Sequence, residues 1–272
     1  MNVSTTTWRL IDTGPLDGPT NMALDEALLA CFDPAKSKPV LRLYGWTPPA
    51  FSLGKFQQAG DVLHLERCVR EGIAVVRRVT GGGCIFHGDE LTYSIICSPE
   101  HIDGVRGVKE SYRKLCGFLI LTYRGMGLDP AFAVDSRRAN ERLGERTSLC
   151  FAGREEYDIT VSGRKLGGNA QRRTRGIIFQ HGSIPLRDRL SRMIPFLRGK
   201  PPDPERWAIS ISDLAPDTDE ERLKGFLVAS FEKNLGITLR ACDPSREERE
   251  EANRLRENKY LSDAWNHGME ER

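Results

Sequence analysis

Three groups of residues in this chain have the types and spacing to do chemistry. The first runs Arg77-Arg-Val-Thr80-Gly81-Gly82-Gly83-Cys84-Ile-Phe-His87 and continues as Glu90-Leu-Thr-Tyr93-Ser94. Three glycines in a row let the backbone approach a ligand closely and present its N–H groups. Arg77 and Arg78, just before them, can hold a carboxylate or a phosphate. No Gly-Lys-Ser/Thr follows, so the motif is not a P-loop. A tight turn between two strands is the ordinary alternative.

The second group is Gly163-Arg-Lys165-Leu-Gly167-Gly168-Asn169-Ala170-Gln171-Arg172-Arg173, followed by His181-Gly182-Ser183. A lysine on a hairpin, ahead of glycines and amides, can polarise a carbonyl, although most lysines are simply exposed. The third is Cys150, in Ser148-Leu-Cys-Phe, fifteen positions before Lys165. A hairpin that folds Lys165 toward Cys150 would set an ammonium beside a thiol, and such a neighbour lowers a thiol pKa from about 8.5. The chain has seven cysteines, at 31, 68, 84, 97, 116, 150 and 242. Their odd number and scattered spacing, with no CxxC pair, argue against a disulfide framework and a zinc site. A buried small hydrophobe is the expectation for the other six.

These groups need elements to hold them. Trp8-Arg-Leu-Ile-Asp, Val40-Leu-Arg-Leu-Tyr-Gly-Trp, Ala50-Phe-Ser-Leu, Ala74-Val-Val-Arg-Arg-Val and Leu91-Thr-Tyr-Ser-Ile-Ile-Cys read as strands. Tyr157-Asp-Ile-Thr-Val and Arg164-Lys-Leu-Gly-Gly read as a hairpin turning at Ser162-Gly163, with another strand from Gly176. Helices are expected at 20–30, with Thr20 as N-cap, and at 61–71, 111–126, 219–235 and 244–256. Interspersed strands and helices with several hairpins favour an α+β fold with mostly antiparallel sheets flanked by helices. Residues 8–190 form the expected catalytic domain. Residues 191–272 form a helical C-terminal region packed on it.

The chain has 272 residues, 39% hydrophobic and 29% charged, the composition of a soluble globular protein. No stretch approaches the roughly 20 apolar residues that span a bilayer. Residues 1–7 are polar and lack a signal-peptide layout, so the cytoplasm is the expected location and no membrane partner is expected. The net charge is +2, but residues 137–175 hold ten basic and five acidic side chains. Such a span suits an acidic partner or a phosphate; a solvated basic loop is the plain alternative. It lacks interleaved aromatics, which argues against nucleic acid.

The ordered motifs resemble the biotin/lipoate protein ligase superfamily, and within it the M-type octanoyltransferases. The resemblance covers most of residues 8–190. It runs through Asn21-Met-Ala-Leu-Asp-Glu-Ala-Leu, Leu43-Tyr-Gly-Trp-Thr-Pro-Pro, Ser52-Leu-Gly, Arg77-Arg-Val-Thr-Gly-Gly-Gly, His87, Leu91-Thr-Tyr-Ser, Lys165 with Gly-Asn-Ala-Gln, and His181-Gly-Ser-Ile. Lys259-Tyr-Leu-Ser-Asp-Ala-Trp-Asn also resembles a family ending. It implies a ligase-type catalytic fold, an acyl pocket along the arginine–glycine motif, Lys165 as the active-site lysine and Cys150 as the acyl-thioester cysteine. Arg77, Thr80, Gly81, Gly82, Gly83, His87, Tyr93, Gly168, Asn169, Ala170, His181 and Gly182 are then the expected substrate-binding residues. Cys84 stands beside the pocket motif, where the family more often has alanine.

Octanoyl transfer from acyl carrier protein to a lysine of a lipoyl-accepting domain is the implied reaction. It needs no cofactor, because a thioester donor already carries the driving force. Two rivals follow from the same residues: an ATP-dependent lipoate–protein ligase, and an amidotransferase working between lipoyl domains. A non-catalytic octanoate- or lipoate-binding module is a rival of another class, against which Cys150 and Lys165 together argue.

Overall fold

The computed structural model describes residues 6–136, 155–199 and 208–268. Strand β1 (Thr7–Leu16) leads into helix α1 (Gly18–Ala30), then β2 (Val40–Trp46) and β3 (Ala50–Leu53). Short helices α2 (Ala59–Val62) and α3 (Leu65–Arg70) precede β4 (Ala74–Arg77), β5 (Ile85–His87) and β6 (Glu90–Cys97). Helix α4 (Val108–Gly125) is followed by β7 (Pro130–Phe132), β8 (Ile159–Val161), β9 (Arg164–Lys165), β10 (Gly168–Thr174) and β11 (Ile177–Pro185). Then come α5 (Leu190–Met193), α6 (Ile211–Leu214), α7 (Glu220–Leu235), β12 (Thr238–Ala241), α8 (Arg246–Leu255) and α9 (Asp263–Asn266).

The main sheet has six strands in the order β10-β11-β6-β2-β1-β12, with three-stranded sheets β4-β3-β5 and β7-β8-β9 beside it. Pairings β10–β11, β11–β6 and β2–β6 are antiparallel, while β1 runs parallel to both β2 and β12. The fold is α+β, with predominantly antiparallel sheets flanked by helices, as the sequence leads one to expect.

Side chains alternate across a strand, so each central strand serves two cores. Leu41, Leu43, Leu91, Tyr93, Ile95 and Ile178 face a cluster shared with Leu115, Phe118 and Leu119 of α4 and Leu227 and Phe231 of α7. Val40, Tyr44, Ile96, Ile177 and Phe179 face α1, through Met22, Ala23, Ala27 and Leu28, and Ala252 and Leu255 of α8. The α1 face also carries the polar positions Arg42, Thr92, Ser94, His181 and Ser183, all buried. A sheet face with that many sequestered polar groups is where a site belongs.

Several boundaries differ from the sequence reading. Helix α1 begins two residues earlier, because the Asp17 carboxylate accepts the Thr20 N–H at 2.7 Å and is the N-cap in place of Thr20. The expected helix at 61–71 is two short helices. Strand β10 is an edge strand of polar composition, and β12 is a strand within the region expected to be helical.

Candidate functional site

A pocket opens on the α1 face of the main sheet. Met22 of α1, Tyr44 and Trp46 of β2, and Ile85 of β5 give it apolar walls. Its polar border is Arg78, Thr92, His87, His181, Ser183 and the backbone of Gly82, Gly168 and Gly182, with Asn169 and Ala170. Arg78 is the one charged side chain in this lining among the described residues. A long neutral chain with a carbonyl at one end suits such a shape.

The wall is rigid because its aromatic ring is anchored twice. Trp46 stacks on His87 with ring centroids 3.8 Å apart and planes 12° apart. Its indole N–H donates to Thr92 Oγ1 at 2.9 Å, and that hydroxyl donates to Glu90 Oε1 at 2.7 Å. His87 Nδ1 meets the same Glu90 oxygen at 2.5 Å, while its Nε2 meets Ser52 Oγ at 2.6 Å. Glu90 Oε2 accepts from Ser183 Oγ at 2.8 Å and from Arg189 at 2.6 Å. Burial alone would raise the Glu90 carboxyl. His87, Arg189 and the Thr92 hydroxyl overcome that and hold it at about 2. Burial pushes His87 below the usual imidazole range, so it stays neutral; with Nδ1–H directed at Glu90, Nε2 accepts from Ser52.

Arg77 ends β4 and Arg78 follows it on extended chain, so their side chains diverge. Arg78 turns to the cavity. Its guanidinium donates to Ser52 O and Oγ at 2.8 Å and to the carbonyls of Gly81 and Gly83 at 3.0 Å, which folds the glycine loop around it. Gly81 and Gly83 thus act through this grip, and Gly82, at φ +99°, is the loop residue at the cavity. Arg77, expected to bind substrate, points elsewhere. It donates to the carbonyls of Gly54, Lys55 and Gln57 on one side, and of Trp265 and Asn266 on the other. It clamps the C-terminal segment to the glycine-loop strand.

Two other expected binding residues lie behind the lining. Thr80 Oγ1 meets His181 Nε2 at 2.7 Å, so it positions that ring. Burial lowers the His181 pKa. Tyr93 is on the opposite face of β6, edge-on to Phe118, because strand alternation sends it toward α4; its hydroxyl donates to Asn169 Oδ1 at 2.6 Å. Beneath the cavity Arg42 donates to Asp25 Oδ1 at 2.7 Å and to Asn21 Oδ1 at 2.6 Å, and the Tyr44 hydroxyl donates to Asp25 Oδ2 at 2.8 Å. These groups pin α1 to β2.

Lys165 borders a second cleft, together with Gly167, Gly168, Pro185 and Arg187. Gly168 lines both spaces, so they adjoin there. The hairpin that presents Lys165 turns at Ser162 (φ 51°) and Gly163 (φ 75°), the paired left-handed residues of a type I′ turn, and sets Thr160 opposite Lys165. Lys165 Nζ lies 2.6 Å from Asp158 Oδ2, and both side chains are almost fully buried. The Glu155 N–H also donates to that oxygen, at 2.7 Å. Cys150 falls outside the described residues, as does most of the basic span before Glu155. Cys84 lies in a buried cluster with Phe51 and Leu53.

Sequence reasoning missed Asp158 as the partner of Lys165, Glu90 as the hub behind His87, and Met22, Tyr44, Trp46 and Ile85 as lining; Arg78 stands there with Arg77 as a candidate anion holder. A cross-strand reading of the hairpin brings Asp158 near Lys165. The period-two pattern of β6 sets Glu90 and Thr92 on the face opposite Tyr93.

The sequence profile of the lipoyl protein ligase A/B catalytic domain matches residues 17–232. The chain is 38% identical to octanoyltransferase LipM of Kyrpidia tusciae, over 96% of this chain and 98% of that one. It is also 38% identical to octanoyltransferase LipM of Bacillus subtilis, over 96% and 98%. Among solved structures it is similar to lipoate-protein ligase A bound with ATP (TM-score 0.82, 24% identity, covering 96% and 99% of the two chains). It is similar too to a bipartite lipoate protein ligase of Thermoplasma acidophilum (TM-score 0.80, 22% identity, 98% and 98%). At those identities the structural likeness speaks for the fold alone.

Proposed function

The chain belongs to the lipoyl protein ligase A/B catalytic-domain family, and from that premise we propose that it transfers an octanoyl group from octanoyl–acyl carrier protein to a lysine of a lipoyl-accepting domain, through a thioester on Cys150. Octanoyl transfer in protein lipoylation is the activity of its full-length relatives, and the chain is an acyltransferase of that kind. The donor, the covalent route and the cytoplasm as its place are our reading. One observation supports the geometry most: an apolar cavity with a polar end adjoins, at Gly168, the cleft lined by Lys165.

In this mechanism the Cys150 thiolate attacks the carbonyl carbon of the donor thioester, and the donor thiol leaves. The octanoyl tail lies against Met22, Tyr44, Trp46 and Ile85, where each buried methylene contributes about 0.8 kcal/mol. The Lys165 ammonium, held by Asp158, stabilises the thiolate and the negative charge that develops on the carbonyl oxygen. Backbone N–H groups of the glycine loop or the lysine hairpin supply further donors. The acceptor lysine, as a free amine, then attacks the Cys150 thioester, the amide forms and the thiol is released. Thioester exchange is nearly balanced and amide formation is downhill, so ATP is not required. Covalent catalysis also spares the two protein partners from binding together. The basic span 137–175 serves as the dock for acidic acyl carrier protein.

Intact-mass analysis after mixing with octanoyl–acyl carrier protein tests this. The expected result is one octanoyl adduct, removed by hydroxylamine and missing in Cys150→Ser. Modification of an acceptor domain that requires ATP and survives Cys150→Ala would establish the ligase reading instead.

A further inference from the structure

Among the described residues that line the cleft beside Lys165, Arg187 is a cation that neither the transfer chemistry nor an ion pair uses. Lys165 is paired with Asp158 at 2.6 Å, and Arg189 with Glu90 at 2.6 Å. The cleft's carboxylates are occupied as well. Asp188 accepts the Leu190 N–H at 2.8 Å, and Asp213 accepts the Ser210 N–H at 2.9 Å and hydroxyl at 2.7 Å. Arg187 differs. Its backbone N–H donates to Asp89 O at 3.2 Å, but its exposed guanidinium makes no hydrogen bond or ion pair with another described residue.

We propose that Arg187 binds the phosphate of a phosphopantetheine arm and that this cleft holds the arm while its thioester is read. The inference rests on the transferase reading, which supplies a thioester donor carried on such an arm. The arm joins a branched apolar segment and two amides to a terminal phosphodiester. The cleft offers a matching series: Pro185, Leu190 and Ile209 for the apolar part, polar backbone around Gly167 and Gly168, and Arg187 for the phosphate. The order also fits. The acyl cavity meets the cleft at Gly168, so an acyl chain in the cavity leads its thioester toward Lys165 and the arm toward Arg187. The phosphate joins the arm to its carrier and must stay near solvent, which an exposed arginine allows. Gly167, at φ +87°, keeps the passage narrow: a Cβ there would stand 2.3 Å from Ser183 O. A guanidinium fork matches phosphate oxygens better than a point charge does.

The test compares octanoyl-phosphopantetheine with octanoyl-pantetheine, donors that differ in the phosphate alone. Both are presented to the full-length protein and to its Arg187→Gln and Arg187→Lys variants, with a purified lipoyl domain as acceptor. The wild-type protein is expected to favour the phosphorylated donor about tenfold in kcat/KM, mostly through KM. That preference should fall to about one in Arg187→Gln, persist in part in Arg187→Lys, and weaken with added salt in the wild type. An equal preference in wild type and Arg187→Gln, or none in the wild type, overturns the assignment of Arg187 while leaving the transferase reading intact. Transfer from neither thioester, with modification from octanoate and ATP, sinks that reading and this one together.

Discussion

At the scale of single residues, the site depends on charges that are buried and matched. Lys165 and Asp158 lie 2.6 Å apart with almost no exposure, so removing one leaves the other uncompensated. Breaking such a pair costs about 3–5 kcal/mol. Asp158→Asn should therefore lower the unfolding free energy by an amount of that order, read as a lower denaturant midpoint, and slow octanoyl transfer; an unchanged midpoint would mean that the pair contributes nothing. Glu90 gives a prediction in pH. Its folded-state pKa of about 2 lies below its ordinary value of 4.5, so the unfolded chain binds more protons in between. Stability from Glu90, about 3 kcal/mol, is then fully present above pH 4.5 and is lost as pH falls toward 2. Acid titrations of Glu90→Gln should show a shallower loss over that window than wild type. Arg77 and Arg78 show the limit of the sequence at this scale. Their types promised anion binding, but period two sends neighbours to opposite faces, and the sequence does not say which face is the cavity.

At the scale of elements, the central strands were legible and the edges were not. Leu91-Thr-Tyr-Ser-Ile-Ile-Cys is rich in β-branched and aromatic residues because both of its faces are buried. Gly168-Asn-Ala-Gln-Arg-Arg-Thr has no such signature, since β10 lies at the sheet's edge and takes its register from β11. The lysine hairpin was readable from Ser162-Gly163, because two left-handed positions in succession are a strong local demand. The glycine loop depends on a second glycine outside it. A Cβ on Gly54 would fall 1.9 Å from the Gly82 carbonyl oxygen, a backbone atom that cannot swing aside. Gly54→Ala is expected to cost about 1–3 kcal/mol by overpacking and to reduce transfer by shifting Gly82; thermal melts and initial rates will show whether the two losses occur together.

At the scale of the whole molecule, the C-terminal region is threaded into the catalytic body. Strand β12 extends the main sheet beside β1, α8 packs on α1, and Lys259 and Tyr260 both hold Glu26. Asn266 Oδ1 accepts the Arg77 N–H at 3.1 Å, and the Trp265 indole donates to Arg77 O at 3.1 Å. The sequence showed the ending motif but not its destination, because 188 residues of separation carry no spatial signal. Ending the chain after residue 243 removes α8, α9 and two of the carbonyl partners of Arg77, those of Trp265 and Asn266, and exposes the apolar face of α1. The truncated protein should bind a hydrophobic dye and be cut rapidly near the glycine loop in limited proteolysis. A protease pattern like that of the intact chain would contradict this.

The Arg77 clamp also bears on synthesis. A ribosome makes β4 and its arginine 188 residues before the carbonyl of Trp265. The first strand likewise waits for β12 to cover its outer edge. The nascent chain therefore carries β4 with its clamp open until residue 266 has been made, and the segment around Arg77 settles late relative to the strands beside it.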